Sequence, residues 1–185
     1  IDIFIEASTD KTTLCNFTNH SYFNLDGAEN IANHSLIVNC DNVLPVDKNG
    51  IPLSEPVSTN ELALEFKNSR KLNDNGEPTE IDHNFCISNT RQSLRANAIV
   101  SARNISLELL STEPGLQIYT GKGLDSGNDK GWGNFPYKKF AGIALEPQIW
   151  PDSPNQIGFP NPYLSPREKY KHHTRIKFSD SNNKK

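Results

Sequence analysis

An all-β, antiparallel sandwich is the fold that this 185-residue sequence predicts, and three features point to it. Apolar and polar residues alternate with a period of two in many short runs. Those runs consist mostly of β-branched, aromatic or other apolar residues and are bounded by turn formers or polar residues. No stretch of twelve or more residues carries the apolar stripe of an amphipathic helix.

Taken in order, Ile1-Asp2-Ile3-Phe4-Ile5-Glu6 alternates from the first residue, which predicts a strand over Ile1–Ala7. Further strands are expected at Thr13–Phe17, Ser35–Asn39 and Ala63–Phe66. Ala98–Ala102 and Ser106–Ser111 flank Arg103-Asn104, a tight hairpin turn. Leu116–Tyr119 is closed by Gly115 and Gly121, Gly142–Glu146 ends an apolar run, and Thr174–Phe178 completes the series. Ser69–Leu72 could form a single helical turn. Many short strands separated by turns are the mark of an antiparallel sandwich or barrel.

Two long stretches break the pattern. Gly121–Tyr137 holds five glycines and reads as a surface loop. Pro147–Pro166 holds six prolines, which excludes a helix or a central strand. Loops of this length in a compact domain are often functional. No repeat or linker is visible, so residues 1–178 read as one β-sandwich domain and 179–185 as a polar tail. The chain contains no methionine and begins inside a strand-like run. These two features lead us to expect a domain truncated at its N-terminus.

Composition narrows the function. Hydrophobic residues make up 35% of the chain and are grouped, which argues against disorder throughout. The net charge of -3 and the absence of basic runs longer than pairs give no nucleic-acid footprint. No apolar run approaches the ~20 residues of a membrane helix. Cys15, Cys40 and Cys86 are odd in number and widely spaced, as expected of buried free thiols in a reducing, cytoplasmic setting. Sequons at Asn16, Asn19, Asn33 and Asn104 carry little weight in so asparagine-rich a chain.

Four segments could carry chemistry. In Thr18-Asn19-His20-Ser21-Tyr22-Phe23-Asn24-Leu25 a histidine sits among amides and aromatics after a strand, which suits proton transfer. A strand-end histidine bonded to backbone would look the same. Asp82, at the mouth of a strand, could accept from sugar hydroxyls or cap a turn. Gln117 shares a strand face with Tyr119 and offers a donor and an acceptor together, on either a binding or a solvated face. Glu146 closes an apolar strand, where burial would raise its pKa towards that of a useful base. Trp132 and Trp150 could stack on a sugar or cover the core. His172 and His173 are adjacent and would point to opposite faces of a strand, so they cannot chelate one ion.

In order, TNHSYFNLDG at Thr18–Gly27, IDHNF at Ile81–Phe85, EPGLQIYTG at Glu113–Gly121 and ALEPQIWPDSPNQ at Ala144–Gln156 resemble the motifs of the aldose 1-epimerase family, which has a galactose mutarotase-like β-sandwich. The resemblance covers nearly the whole chain. It implies an enzyme acting on a small-molecule aldose without metal or redox cofactor. His20 would be the general acid and Glu146 the general base, while Asp82, Gln117, Asn19 and Tyr22 would bind the sugar. The base takes the proton from the anomeric hydroxyl as the acid protonates the ring oxygen. The ring opens to the aldehyde, the C1–C2 bond rotates, and reclosure gives the other anomer. This requires imidazole and carboxylate to converge in a concave cleft with room for a hexose between them.

One departure matters. The family carries an earlier section with an arginine, often preceded by asparagine, and a second histidine at the sugar site, and nothing in Ile1–Thr12 matches it. The resemblance thus implies a missing N-terminal portion of the binding wall and low activity for these residues alone. Pro147, where some relatives have threonine, is a smaller departure. The rival readings are a hexose-6-phosphate epimerase, which would want basic residues at the pocket rim, and a non-catalytic carbohydrate-binding module, which need not keep His20 and Glu146.

Overall fold

The computed structural model describes residues 1–53, 55–131 and 133–180. Its strands are β1 (Asp2–Ala7), β2 (Thr13–Leu14), β3 (Tyr22–Phe23), β4 (Ser35–Val38), β5 (Asn42–Val43), β6 (Val57–Ser58), β7 (Arg70–Lys71), β8 (Asp82–Cys86), β9 (Arg95–Ala102), β10 (Ile105–Ser111), β11 (Gly115–Tyr119), β12 (Ile143–Gln148), β13 (Tyr163–Leu164) and β14 (Tyr170–Asp180). The first sheet runs β1-β14-β10-β9-β4-β7, the second β3-β12-β11-β8-β5-β6, and β13 pairs with β2 in a small third sheet. The pairings are antiparallel. The all-β antiparallel sandwich expected from the period-two pattern is the fold observed.

Alternation along each strand builds the core. Leu36, Val38, Ala98, Val100, Leu107, Leu109 and Ile176 of the first sheet meet Phe85, Leu116, Ile118, Ile143 and Leu145 of the second in one continuous buried cluster. Removing these side chains from water is the main stabilising term. Because Leu116, Ile118, Ile143 and Leu145 point inward, their neighbours Gln117, Tyr119, Ala144 and Glu146 are forced onto the outer face of the second sheet. The hairpin expected at Arg103-Asn104 is present, with Ala102 opposite Ile105 and Arg103 in a left-handed conformation at φ 50°.

Four local expectations are corrected. Ala63–Phe66 is not a strand: a 3₁₀ turn over Thr59–Leu62, with a capping box from Ser58 and Glu61, ends at Ala63 with φ 55°. Leu64 and Phe66 then enter the core from irregular backbone, which mimics strand alternation. Ser69–Leu72 forms no helical turn; Arg70–Lys71 pairs with β4. Of Thr13–Phe17 only Thr13–Leu14 joins a ladder. The Pro147–Pro166 stretch, expected to exclude a helix, holds a short 3₁₀ turn over Ser153–Asn155 with a proline in its first turn. Pro147 itself lies inside β12, opposite Leu116, but not in a central strand. The other neighbour, β3, reaches only Ile143 and Ala144, so from Leu145 onward β12 is an edge, where proline is tolerated.

Candidate active site

Register on the outer face of the second sheet groups the four motifs. Glu146 on β12 lies opposite Gln117 on β11, which lies opposite Asn84 on β8. One step along, Tyr22 of β3 is opposite Ala144, and Tyr119 is opposite both Ala144 and Asp82. His20 precedes β3 and reaches over the same face. Its Nε2 stands 3.5 Å from Glu146 Oε1. Residues 126 positions apart in sequence thus meet as an imidazole–carboxylate pair because β3 is laid antiparallel beside β12.

The two members differ in environment. The His20 side chain is 50% exposed and its ring tilts against Tyr22, with centroids 5.1 Å apart. The Glu146 side chain is only 9% exposed. Burial pushes the Glu146 carboxyl above its usual range; the facing imidazole pulls it down in part, and the Asp82 carboxylate adds to the rise. A carboxyl whose pKa is raised by burial, facing an imidazole, is an arrangement suited to acid–base chemistry near neutral pH.

The polar groups around the pair are already ordered. Gln117 Nε2 donates to Asp82 Oδ1 at 2.7 Å, which fixes the amide's orientation and leaves its carbonyl oxygen to serve as an acceptor. Asn19 Oδ1 accepts from the Ser21 amide at 3.2 Å, shaping the turn that presents His20. Tyr22 packs edge-on to Tyr119, with centroids 6.2 Å apart, and burial raises its phenol pKa. All six residues singled out in the sequence therefore belong to one neighbourhood. One feature differs from expectation: the His20 imidazole and the Glu146 carboxylate touch, leaving no space for a ring between them. Half of the His20 side chain faces solvent.

Two further residues belong to this face. Tyr119 receives the Gly123 amide on its hydroxyl at 2.6 Å, so the Gly121–Tyr137 loop braces it. Its spacing of two from Gln117 was the available signal. Asn84 is buried, and its Oδ1 has no partner among the described residues. Only the register with Gln117 reveals it.

The remaining candidates serve the fold. Trp150 is buried, donates its indole N–H to Pro114 O at 3.1 Å and packs edge-on to Phe159. Trp132 lies outside the described residues. Buried His34 accepts the Leu25 amide on Nε2 at 2.8 Å, and burial lowers its pKa. His172 is buried between Phe17 and Thr174, whereas His173 reaches outward to Asp2 at 2.6 Å, so the two rings do take opposite faces. Glu113, inside one of the motifs, is fully buried and accepts from Arg91 Nε at 2.7 Å. Its place in that motif is structural. Among the described residues no helix is long and apolar enough to cross a membrane.

Comparison with known proteins bears on the family and the fold. A family model described as Aldose 1-epimerase matches residues 1–177. The galactose mutarotase of Bos taurus is 39% identical over 181 residues, covering 94% of this chain and 52% of that protein. The aldose 1-epimerase of Escherichia coli (strain K12) is 33% identical over 190 residues, covering 96% and 54% respectively. The crystal structure of a GalM/aldose epimerase homologue from C. elegans superposes with a TM-score of 0.86 at 27% identity, over 97% of this chain and 55% of that one. Galactose 1-epimerase from Lactobacillus acidophilus NCFM gives 0.79 at 27% identity, over 97% and 53%. The chain spans about half the length of the curated relatives it matches.

Proposed function

This chain belongs to the aldose 1-epimerase family, and on that premise we propose that it supplies the acid–base pair for interconverting the α and β anomers of an aldose such as galactose or glucose. The carrying observation is the convergence of His20 and the buried Glu146 at 3.5 Å beside the Asp82–Gln117 hydrogen bond. Glu146 takes the proton of the anomeric hydroxyl while His20 protonates the ring oxygen, and the C1–O5 bond breaks. After rotation about C1–C2 the two proton transfers reverse, so neither protein group is consumed. The anomeric hydroxyl and ring oxygen sit on the same carbon, so the adjacent imidazole and carboxylate need part only enough to admit that carbon's two oxygens. Asp82, Gln117, Asn19 and Tyr22 would orient the remaining hydroxyls and ring.

The half-exposed His20 supports a second part of the proposal: residues beyond these 185 complete the sugar-binding wall, as a chain spanning about half of its relatives' length would need. Two loop lysines that could have served a phosphate are paired with carboxylates, Lys122 with Glu80 and Lys138 with Asp125, each at 2.7 Å, so nothing favours a sugar-phosphate substrate. The cysteines at 15, 40 and 86 are free thiols, which suits a cytoplasmic location. Polarimetry of freshly dissolved α-galactose and α-glucose tests the reading. A form extended to the relatives' full length should speed the approach to equilibrium, and the 185-residue chain should do so weakly. Full activity from the chain alone would remove the incomplete wall. No acceleration by the extended form would remove the enzyme.

A further inference from the structure

The segment that carries His20 has little regular structure. Between β2 and β3, residues 15–21 join no ladder, yet the imidazole they present is held against Glu146. What holds it is a pair of cross-connections, one to β12 and one to Ile149, the residue that follows it. On one side of His20, Tyr22 is paired with Ala144 in the β3–β12 ladder. On the other, the Asn16 side chain brackets Ile149: its Oδ1 accepts the Ile149 amide at 2.9 Å and its Nδ2 donates to the Ile149 carbonyl at 3.2 Å. A side-chain amide that serves both backbone groups of one residue does the work of a strand neighbour.

The arrangement is a short frame with two rungs. His20 lies between Asn16 and Tyr22, and Glu146 lies between Ala144 and Ile149. Continued from Tyr22–Ala144, the antiparallel register would place position 20 directly opposite position 146. The Asn16 bracket closes the frame one residue beyond strict register, which accommodates the Asn19–Ser21 turn. Next to Asn16, the Phe17 backbone is clamped from the other side: Tyr170 Oη both accepts from its amide and donates to its carbonyl at 3.3 Å, and His172 Nδ1 donates to the same carbonyl at 3.1 Å. The Asn16 bracket is therefore aimed along the axis that sets the His20–Glu146 separation, and the Phe17 clamp fixes its base.

We propose that Asn16 is a positioning residue that sets the acid against the base by tying the His20 segment to the residue that follows the strand bearing Glu146. The inference rests on the proposed acid–base reading for its functional consequence, but its geometric content stands apart from it. Displacing one reactive group by about 1 Å costs on the order of 10²-fold in rate. Asn16→Ala in the extended form should thus lower kcat about 10²-fold with KM little changed, and should lower it no further in a His20→Ala background, since Asn16 acts through His20.

A second readout needs no activity. In the 185-residue chain, nuclear Overhauser contacts between the His20 ring and the Glu146 side chain should disappear in Asn16→Ala. They should weaken in Asn16→Asp, which is isosteric and keeps only the acceptor half of the bracket. If Asn16→Ala fails to fold, Asn16→Asp carries the same reading. Contacts that persist at wild-type strength in a folded variant, with kcat within twofold, would overturn the proposal and leave Asn16 a stabilising residue only. A wild-type rate for His20→Ala, by contrast, would sink the acid–base reading while the contact measurement still judged Asn16.

Discussion

Replacing Glu146 by glutamine should abolish most of the rate and at the same time stabilise the fold. Burial holds the carboxyl above its usual pKa, and the opposing pull of His20 offsets only part of that rise. The native state therefore binds a proton more readily than the unfolded chain at this site. The stability it contributes is fully present below the unfolded pKa, in the ordinary glutamate range, and is lost as pH rises through the raised native value. At neutral pH the ionised group is a net cost, which an isosteric amide removes. On the catalytic side, loss of a positioned base costs ~10²–10⁴-fold, or about 2.7–5.4 kcal/mol in barrier height. Urea unfolding of wild type and Glu146→Gln at pH 7, repeated at progressively lower pH, checks the first part. The variant should be the more stable at pH 7, and the gap should close on acidification. Polarimetry in the extended form checks the second. A variant less stable than wild type at pH 7, with its rate intact, would refute both the buried-base account and the role that follows from it.

Other perturbations separate binding from structure. Gln117→Ala removes the donor that holds Asp82 and an amide facing the site, so KM should rise about tenfold with a smaller change in kcat, measured by substrate titration. Glu113→Ala deletes the buried partner of Arg91 and should cost about 1.5–3 kcal/mol in urea unfolding, with little effect on the His20–Glu146 contact. Gly115→Ala would place its Cβ 2.5 Å from Asn84 Oδ1 and 2.8 Å from Trp150 Cδ1, and should cost about 1–3 kcal/mol by overpacking. The rate of wild type should fall on acidification at a higher pH than an ordinary glutamate would dictate, because the base must be ionised to act; a pH profile in the extended form reads this directly.

The sandwich was legible because its longer strands obey the period of two without interference. β9, β10, β11 and β14 each present their inward residues at alternate positions. The failures come where tertiary packing imposes a pattern that local structure does not share. Leu64 and Phe66 alternate because the core accepts them from a loop as it would from a strand. At the site, residue types and motif order named His20, Asp82, Gln117 and Glu146, but pairing register was needed to bring them together. Asn84 and Asn16 were invisible in that way: each is one asparagine among many, and its partner lies far along the chain.

A double-mutant cycle on the mutarotation rate addresses the central claim most directly. In the extended form, His20→Ala and Glu146→Ala should each slow the polarimetric approach to equilibrium by 10²-fold or more. Groups that act as a unit lose little further when both are gone, so the double variant should fall within about tenfold of the slower single one. A single variant that retains the wild-type rate, or losses that multiply in full, would show that the facing imidazole and carboxylate are neighbours without a shared task.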